Sequence, residues 1–406
     1  MNILWALPVM PSRTGAWFER RAFHFMHHMA QHHHVDVVCL VDGQASFPVE
    51  LRDTCRSVRV WEVADDWRQH LARALLDSTA DDNYIAAPRP SLTRWIRRHR
   101  HSWDAVVVSG HKLSDMPLSR NRPCVLDLWR LDADEAPVAR MPTADTPGLT
   151  HRETTTKFIR ASFQAIAEAM LVVAPSIHLH DAVAQRGLGE CVHIPNGIDS
   201  DFWCRASDPT VETPDVVLDL GRSMARGEEA FRWFMTKVWP RVTSALPGVH
   251  LGVIGARAGR IGLAQRDQSV IDLGIPSNPA PYYSGATAVV IPWGSGGGMR
   301  NVALQVMASG GALVTPPTVV SGLVGVRDDH NMRFATDPIG MAGAVTGLLY
   351  DRGFAKGMGL EAQRMIQANY GWDSVAPQFT SAVADVAAVG QDSTVTVETE
   401  VETAVA

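Results

Sequence analysis

The stretch Pro292–Pro317, PWGSGGGMRNVALQVMASGGALVTPP, holds the residue types and spacing best suited to chemistry in this chain. An apolar run, Ala288–Ile291, precedes it and reads as a buried parallel strand. Gly296, Gly297 and Gly298 follow in a loop that lets backbone N–H groups approach a ligand. An apolar-periodic segment with Val302, Val306 and Ala308 then reads as a helix over 301–309, and 312–315 as the next strand. The N-terminus of such a helix offers positive potential to a phosphate. This strand–loop–helix–strand unit predicts a phosphorylated ligand, and a nucleotide above all.

The elements that must position the loop are legible in the same way. The first half alternates short apolar runs with helical periodicity, the pattern of a doubly wound α/β domain. Strands are expected at 2–7, 35–41, 58–63, 105–109, 124–128 and 171–174, with helices at 16–31, 91–99, 154–169 and 178–185. A polar break follows, with Asp199, Asp201, Ser207, Asp208 and Pro209, and the alternation restarts. Strands are expected at 216–220, 249–254, 269–273, 288–291 and 312–315. Helices are expected at 228–245, 301–309, 338–349, 354–368 and 372–389. The tail from Gly390 is acidic and free of aromatics, and is expected to be disordered.

At 406 residues the chain is too long for one ordinary core. A net charge of -6 gives no reason to expect a nucleic-acid partner. Cys39, Cys55, Cys124, Cys191 and Cys204 are odd in number and lack C-x-x-C spacing, which suits reduced thiols of a cytoplasmic protein. The N-terminal apolar run is the length of a strand rather than a signal peptide, and no window reaches the length of a membrane span. Two doubly wound domains in series fit a dehydrogenase or a double-Rossmann transferase. The first wants G-x-G-x-x-G after the opening strand, whereas Pro8–Gly15 supplies one glycine.

Four segments carry a family resemblance. They are the opening MNILWALPVMPSRTGAWFERRAFHFMHHMAQHHHVDVVCL, the acidic VLDLWRLDADEA, HIPNGIDSDFW with its P-N-G-I-D, and GMRNVALQVMASGGALVTPPTVVSGL. In that order they resemble retaining GT-B glycosyltransferases of the family 4 type, most like bacterial sugar transferases of exopolysaccharide and exosortase clusters. The resemblance spans nearly residues 1–388. It implies an α/β fold of two Rossmann-like domains facing across a cleft, with a final helix crossing back to the N-terminal domain. The implied division is 1–198 for the acceptor side, 199–371 for the nucleotide-sugar donor side, 372–389 for the crossing helix and 390–406 for the tail. It also implies a metal-independent transfer of a hexose from a UDP- or GDP-linked sugar to a saccharide or lipid-linked saccharide. The nucleotide sugar is then a co-substrate, with no cofactor.

The resemblance places residues as well. Gly296, Gly297, Gly298, Arg300 and Asn301 would hold the diphosphate with Arg222 and Arg226, whose guanidinium forks suit that task. Gln305 stands where the family has a ribose-binding glutamate, Gly297 where it has another, and Val302 where it has a lysine. Glutamine still accepts and donates a hydrogen bond, without the charge-assisted strength of a carboxylate. His111, just beyond the strand at 105–109, would meet the donor sugar, and Gly15 would approach the diphosphate. Arg21 and Asp132 would lie on the acceptor side. Each has an ordinary counterpart: a loop histidine, a turn glycine, an arginine paired within a helix, a capped acidic loop.

Two further features were weighed. His24 and His28 are one helical turn apart, a spacing that can chelate zinc, but no H-E-x-x-H or cysteine partner accompanies them. LTRWIRRHRHSW, Leu92–Trp103, is basic and amphipathic, either a solvated face or a peripheral contact with the inner face of an anionic membrane. The altered signature positions leave a non-catalytic scaffold as the main alternative. A nucleotide-sugar epimerase comes behind it, since no matching motif is found.

Overall fold

The computed structural model describes residues 1–41, 47–62, 95, 98–99, 102–110, 123–129, 166–167, 169–204, 210–221, 224–255, 268–292 and 301–392. The helices expected at 91–99 and 154–169, and the tail beyond 392, lie largely or wholly outside them. The chain forms two compact units. One comprises Met1–Pro175, Leu179–Pro195 and Ala376–Ala406, and the other Ser176–His178 and Asn196–Val375.

The first unit is built on a seven-stranded parallel sheet. Its strands are β1 (Asn2–Leu7), β2 (His34–Val41), β3 (Ser57–Glu62), β4 (Ala105–Ser109), β5 (Cys124–Asp127), β6 (Leu171–Ala174) and β7 (Cys191–His193). They lie in the order β3-β2-β1-β4-β5-β6-β7. Every residue of β4, β5 and β6 is buried, because helices cover both faces of such a sheet. That is why these strands read as continuous apolar runs. The helix Trp17–His32 buries Phe18, Ala22, Phe25, Met26 and Met29, a 3.6-residue stripe. The last helix, Trp372–Asp392, starts in the second unit and belongs to the first from Ala376. There Phe379 is fully buried, stacked 4.4 Å from Phe25 and 5.4 Å from Trp5. Burying such a ring stabilises the unit by about 2–3 kcal/mol.

On the same first helix, His24 is held mostly out of water. Burial, and then the neighbouring Arg13, His27 and Arg20, lower its pKa to about 3. Below the ordinary histidine pKa of 6.5 the unfolded chain takes up a proton that the folded chain refuses. Stability is therefore expected to fall as pH drops from 6.5 toward 3, by about 2 kcal/mol between pH 6.5 and 5. Urea midpoints of wild type and His24→Gln at pH 7.5 and 5 check this: the variant should lose less on acidification. His28 Nδ1 lies 2.9 Å from Thr380 Oγ1 on the last helix. Among the described residues no three metal-binding side chains are grouped to hold an ion.

The second unit has a six-stranded parallel sheet. Its strands are β8 (Val216–Asp219), β9 (Leu251–Ile254), β10 (Val270–Gly274), β11 (Ala288–Val290), β12 (Leu313–Thr315) and β13 (Arg333–Phe334), in the order β10-β9-β8-β11-β12-β13. Alternate residues serve two cores. Val216, Leu218 and Val290 pack with Phe231, Phe234 and Trp239, and with Met341 and Val345 of the helix Pro338–Tyr350. Val217, Val289 and Leu313 pack on the other face with Leu304 and Met307, and with Ile366 of the helix Arg352–Tyr370.

The single helix expected over 228–245 is instead Met224–Trp233, a π turn at Phe234–Val238, and Trp239–Ala245. Pro240 explains the break: it has no N–H to give four residues back, and its ring crowds that carbonyl. The Trp239 N–H reaches Phe234 O, five residues back. The helices Val49–Thr54 and Ala280–Gly285 and the strands β7 and β13 were not expected. All are too short to show a period.

Candidate functional site

In each sheet the strand order reverses between its first and fourth strands, at β1/β4 and at β8/β11. Connections there leave for opposite faces, so a crevice opens beyond the strand carboxyl ends, the usual ligand position in open α/β sheets. These two places are where a site is expected, one in each unit.

In the second unit the floor is made by Asp219, at the end of β8 and 3% exposed. Its Oδ1 accepts the Gly221 N–H at 2.7 Å and its Oδ2 the Tyr283 hydroxyl at 2.5 Å. Burial, and then the Asp219 charge, push the Tyr283 hydroxyl pKa well up, so it stays protonated and donating. The carboxylate thereby shapes the turn that leads to Arg222. Gly255, at the end of β9, lies against this turn with φ +142°; a Cβ there would meet Gly221 O at 2.8 Å. Across the switch point, Thr315 Oγ1 donates to Ile291 O at 2.8 Å and ties the ends of β12 and β11 together. The helix Asn301–Ala308 follows the glycine-rich stretch in the sequence. Asn196 Nδ2 donates to Asn301 Oδ1 at 3.2 Å.

The P-N-G-I-D segment acquires a physical account. The Trp372 ring occupies the space a side chain at position 197 would need, so Gly197 allows the close approach. Ile198 N–H donates to Tyr370 O at 2.8 Å, and Asp199 caps the helix Ser200–Cys204 by accepting the Phe202 N–H at 3.1 Å.

In the first unit a buried polar network closes the strand ends. Arg21 and Asp127 are both fully buried, with Nε donating to Oδ1 at 2.8 Å. Arg21 Nη1 donates to Pro195 O at 2.9 Å, and its guanidinium lies 4.5 Å from the Phe25 ring centre. Trp129 Nε1 donates to Asp127 Oδ2 at 3.0 Å; Ser109 Oγ lies 3.4 Å from the same atom and accepts Trp5 Nε1 at 2.9 Å. The network links β1, β4 and β5 to the first helix. Burial lowers the Arg21 pKa, and Asp127 opposes that shift.

Arg21 is expected on the acceptor side, yet its side chain has no exposed surface and is committed to Asp127 and Pro195. It supports the strand ends from beneath. Trp103, at the end of the basic stretch, is buried and donates from Nε1 to Asp36 Oδ2 at 2.7 Å. Gly15 sits beside the Glu19 carboxylate, which accepts the Ala16 N–H at 2.8 Å and fills the space over the glycine. Asn301 and Gln305 are half-buried on one helix, with Asn301 held by Asn196. His111, Asp132, Arg222, Gly296, Gly297, Gly298 and Arg300 lie outside the described residues, as does the side chain of Arg226. Sequence reasoning passed over Asp219, Gly255 and Asn196. Asn196 was visible in its motif, and Asp219 as the acid two residues before Gly221.

With this geometry in place, comparison with known proteins is informative. The chain is similar to a sucrose-phosphate synthase from Thermosynechococcus elongatus, with TM-score 0.66 and 16% identity over 96% of this chain and 100% of that one. It is similar to Anabaena HepE, solved in complex with UDP, with TM-score 0.60 and 16% identity over 95% and 100%. It is similar also to TarM, with TM-score 0.60 and 10% identity over 94% and 98%. The fold is that of the two-domain GT-B proteins. Residues 214–351 match the family model described as glycosyl transferases, group 1. No curated protein matches the chain by sequence. Among the described residues no helix is long and apolar enough to cross a membrane.

Proposed function

We propose that the protein is a retaining glycosyltransferase that moves a hexose from a UDP- or GDP-linked sugar to a saccharide or lipid-linked saccharide in exopolysaccharide or glycan synthesis. The observation that carries this reading is the group 1 match over 214–351, on the unit whose sheet reverses its order between β8 and β11. Arg222, Arg226, Arg300, Asn301 and the Gly296–Gly298 loop would neutralise the leaving diphosphate without a metal. Gln305 would take the ribose hydroxyls, His111 the donor sugar, and Gly15 and Asp132 the far side of the reaction. HepE, a protein of the same fold, is solved with UDP-glucose, which favours a nucleotide sugar here. Work at the cytoplasmic face of a membrane, through the exposed Arg98 and its basic neighbours, is part of the same proposal.

A thermal-shift and calorimetric screen against UDP, GDP, TDP and their common sugars tests it. One nucleotide at a hundred times its Kd should stabilise the protein by about 2.7 kcal/mol. Arg222→Ala should abolish the shift, and Gln305→Ala should weaken binding by about tenfold, the loss of one or two hydrogen bonds. No nucleotide bound at millimolar concentration would sink the reading. Binding without transfer or hydrolysis would point to the scaffold alternative.

A further inference from the structure

The bond between Asn196 and Asn301 constrains an orientation as well as a distance. Asn196, 7% exposed, donates from Nδ2 to Asn301 Oδ1. A side-chain amide carries its acceptor and its donors on opposite branches. With Oδ1 of Asn301 committed to Asn196, the branch left to meet a ligand is Nδ2, with two N–H donors. Asn301 opens its helix, and the glycine-rich stretch precedes it in sequence. The diphosphate group of a nucleotide presents acceptor oxygens at neutral pH, so it is attracted by Nδ2 and repelled by Oδ1. The facing of one amide therefore decides the sign of the contact.

Asn196 is well placed to impose that facing. The carbonyl of Pro195, just before it, accepts Arg21 Nη1. Just after it, Gly197 lies under the Trp372 ring and Ile198 donates to Tyr370 O. Its backbone is anchored on the C-terminal side, and its amide is held to Asn301.

We infer that Asn196 is a positioning residue for the nucleotide, turning the Asn301 amide so that Nδ2 donates to the diphosphate. This rests on the donor site proposed above. It assigns a task to the asparagine of P-N-G-I-D that involves no contact with the ligand. It also predicts an order of variants opposite to that of a packing role. Serine at 196 keeps a donor for Asn301 Oδ1. Alanine releases the amide to turn either way. Aspartate is the isostere of asparagine but can only accept, so it draws Nδ2 toward itself and presents Oδ1 to the phosphates.

The test is calorimetric titration of UDP or GDP, whichever the wild type takes, and NMR titration of the matching nucleoside. Asn196→Ser should bind the diphosphate within about threefold of wild type, Asn196→Ala about tenfold more weakly and Asn196→Asp about a hundredfold more weakly. Nucleoside binding should change by less than about twofold throughout, since the nucleoside lacks the phosphates. Asn196→Asp binding the diphosphate as well as or better than Asn196→Ala overturns the inference and leaves the donor site standing. A wild type that binds none of UDP, GDP and TDP overturns both. Should Asn196→Asp not fold, Asn301→Asp serves instead: it still accepts from Asn196 but turns an anion toward the diphosphate. The same hundredfold loss is expected, and retained affinity overturns the inference.

Discussion

Asp127→Ala is expected to destabilise the first unit by about 3–5 kcal/mol, the usual cost of breaking a buried ion pair from one side. The Arg21 guanidinium would be left in the interior without its counter-charge, and Trp129 Nε1 would lose its carboxylate acceptor. A domain has only about 5–15 kcal/mol to lose, so the variant is expected to be soluble only at low temperature. Asp127→Asn keeps an acceptor for Trp129 and should cost less, about 1–3 kcal/mol. Replacing both partners, Arg21→Met with Asp127→Leu, should cost less than Asp127→Ala alone, because no charge stays buried. Urea denaturation of the four proteins checks the series. A loss below about 1 kcal/mol for Asp127→Ala would show that water or another group compensates the guanidinium. Arg21→Lys is not expected to behave as a conservative change, since the fork serves both Asp127 and Pro195 O.

Gly255→Ala is expected to have the second largest effect, and to act on stability and ligand together. At φ +142° an L side chain is strained, and the new Cβ would lie 2.8 Å from Gly221 O and 2.9 Å from Leu220 Cβ. The nearest obstacle is backbone, which cannot swing aside as a flexible side chain can. A cost of about 2–4 kcal/mol is expected, relieved only by moving the Gly221 turn. Arg222 follows that turn directly in sequence, so on the proposed donor site nucleotide affinity should fall by more than about tenfold. Gly274→Ala is the control. It also has positive φ, +63°, but nothing lies within 4 Å of its Cβ position. It should cost about 1 kcal/mol with nucleotide affinity unchanged. Thermal unfolding and a UDP or GDP titration of both variants separate strain alone from strain aimed at the site.

Much of the framework was legible because local patterns determine it. The expected strands at 2–7, 105–109 and 171–174 coincide with β1, β4 and β6, since burial on both faces leaves a continuous apolar run. The restart of the alternation after Asp199 foreshadowed a second unit, and the chain enters that unit at Asn196. The π turn at Phe234–Val238 was less legible: Pro240 was in plain view, but whether a proline breaks, kinks or widens a helix depends on what packs against it.

The sequence by itself determined the longer strands and helices and that the grammar runs twice. Those follow from side-chain period and backbone preference over a few residues. Only the tertiary structure decided the partners. Arg21 meets Asp127 across 106 positions, Asn196 meets Asn301 across 105, and Tyr283 meets Asp219 across 64. Each pairing depends on strand order and register, which bring chain-distant strand ends to one edge. No local period encodes which acid an arginine will reach. That is why the pairing of Arg21 with Asp127 is legible only in the fold.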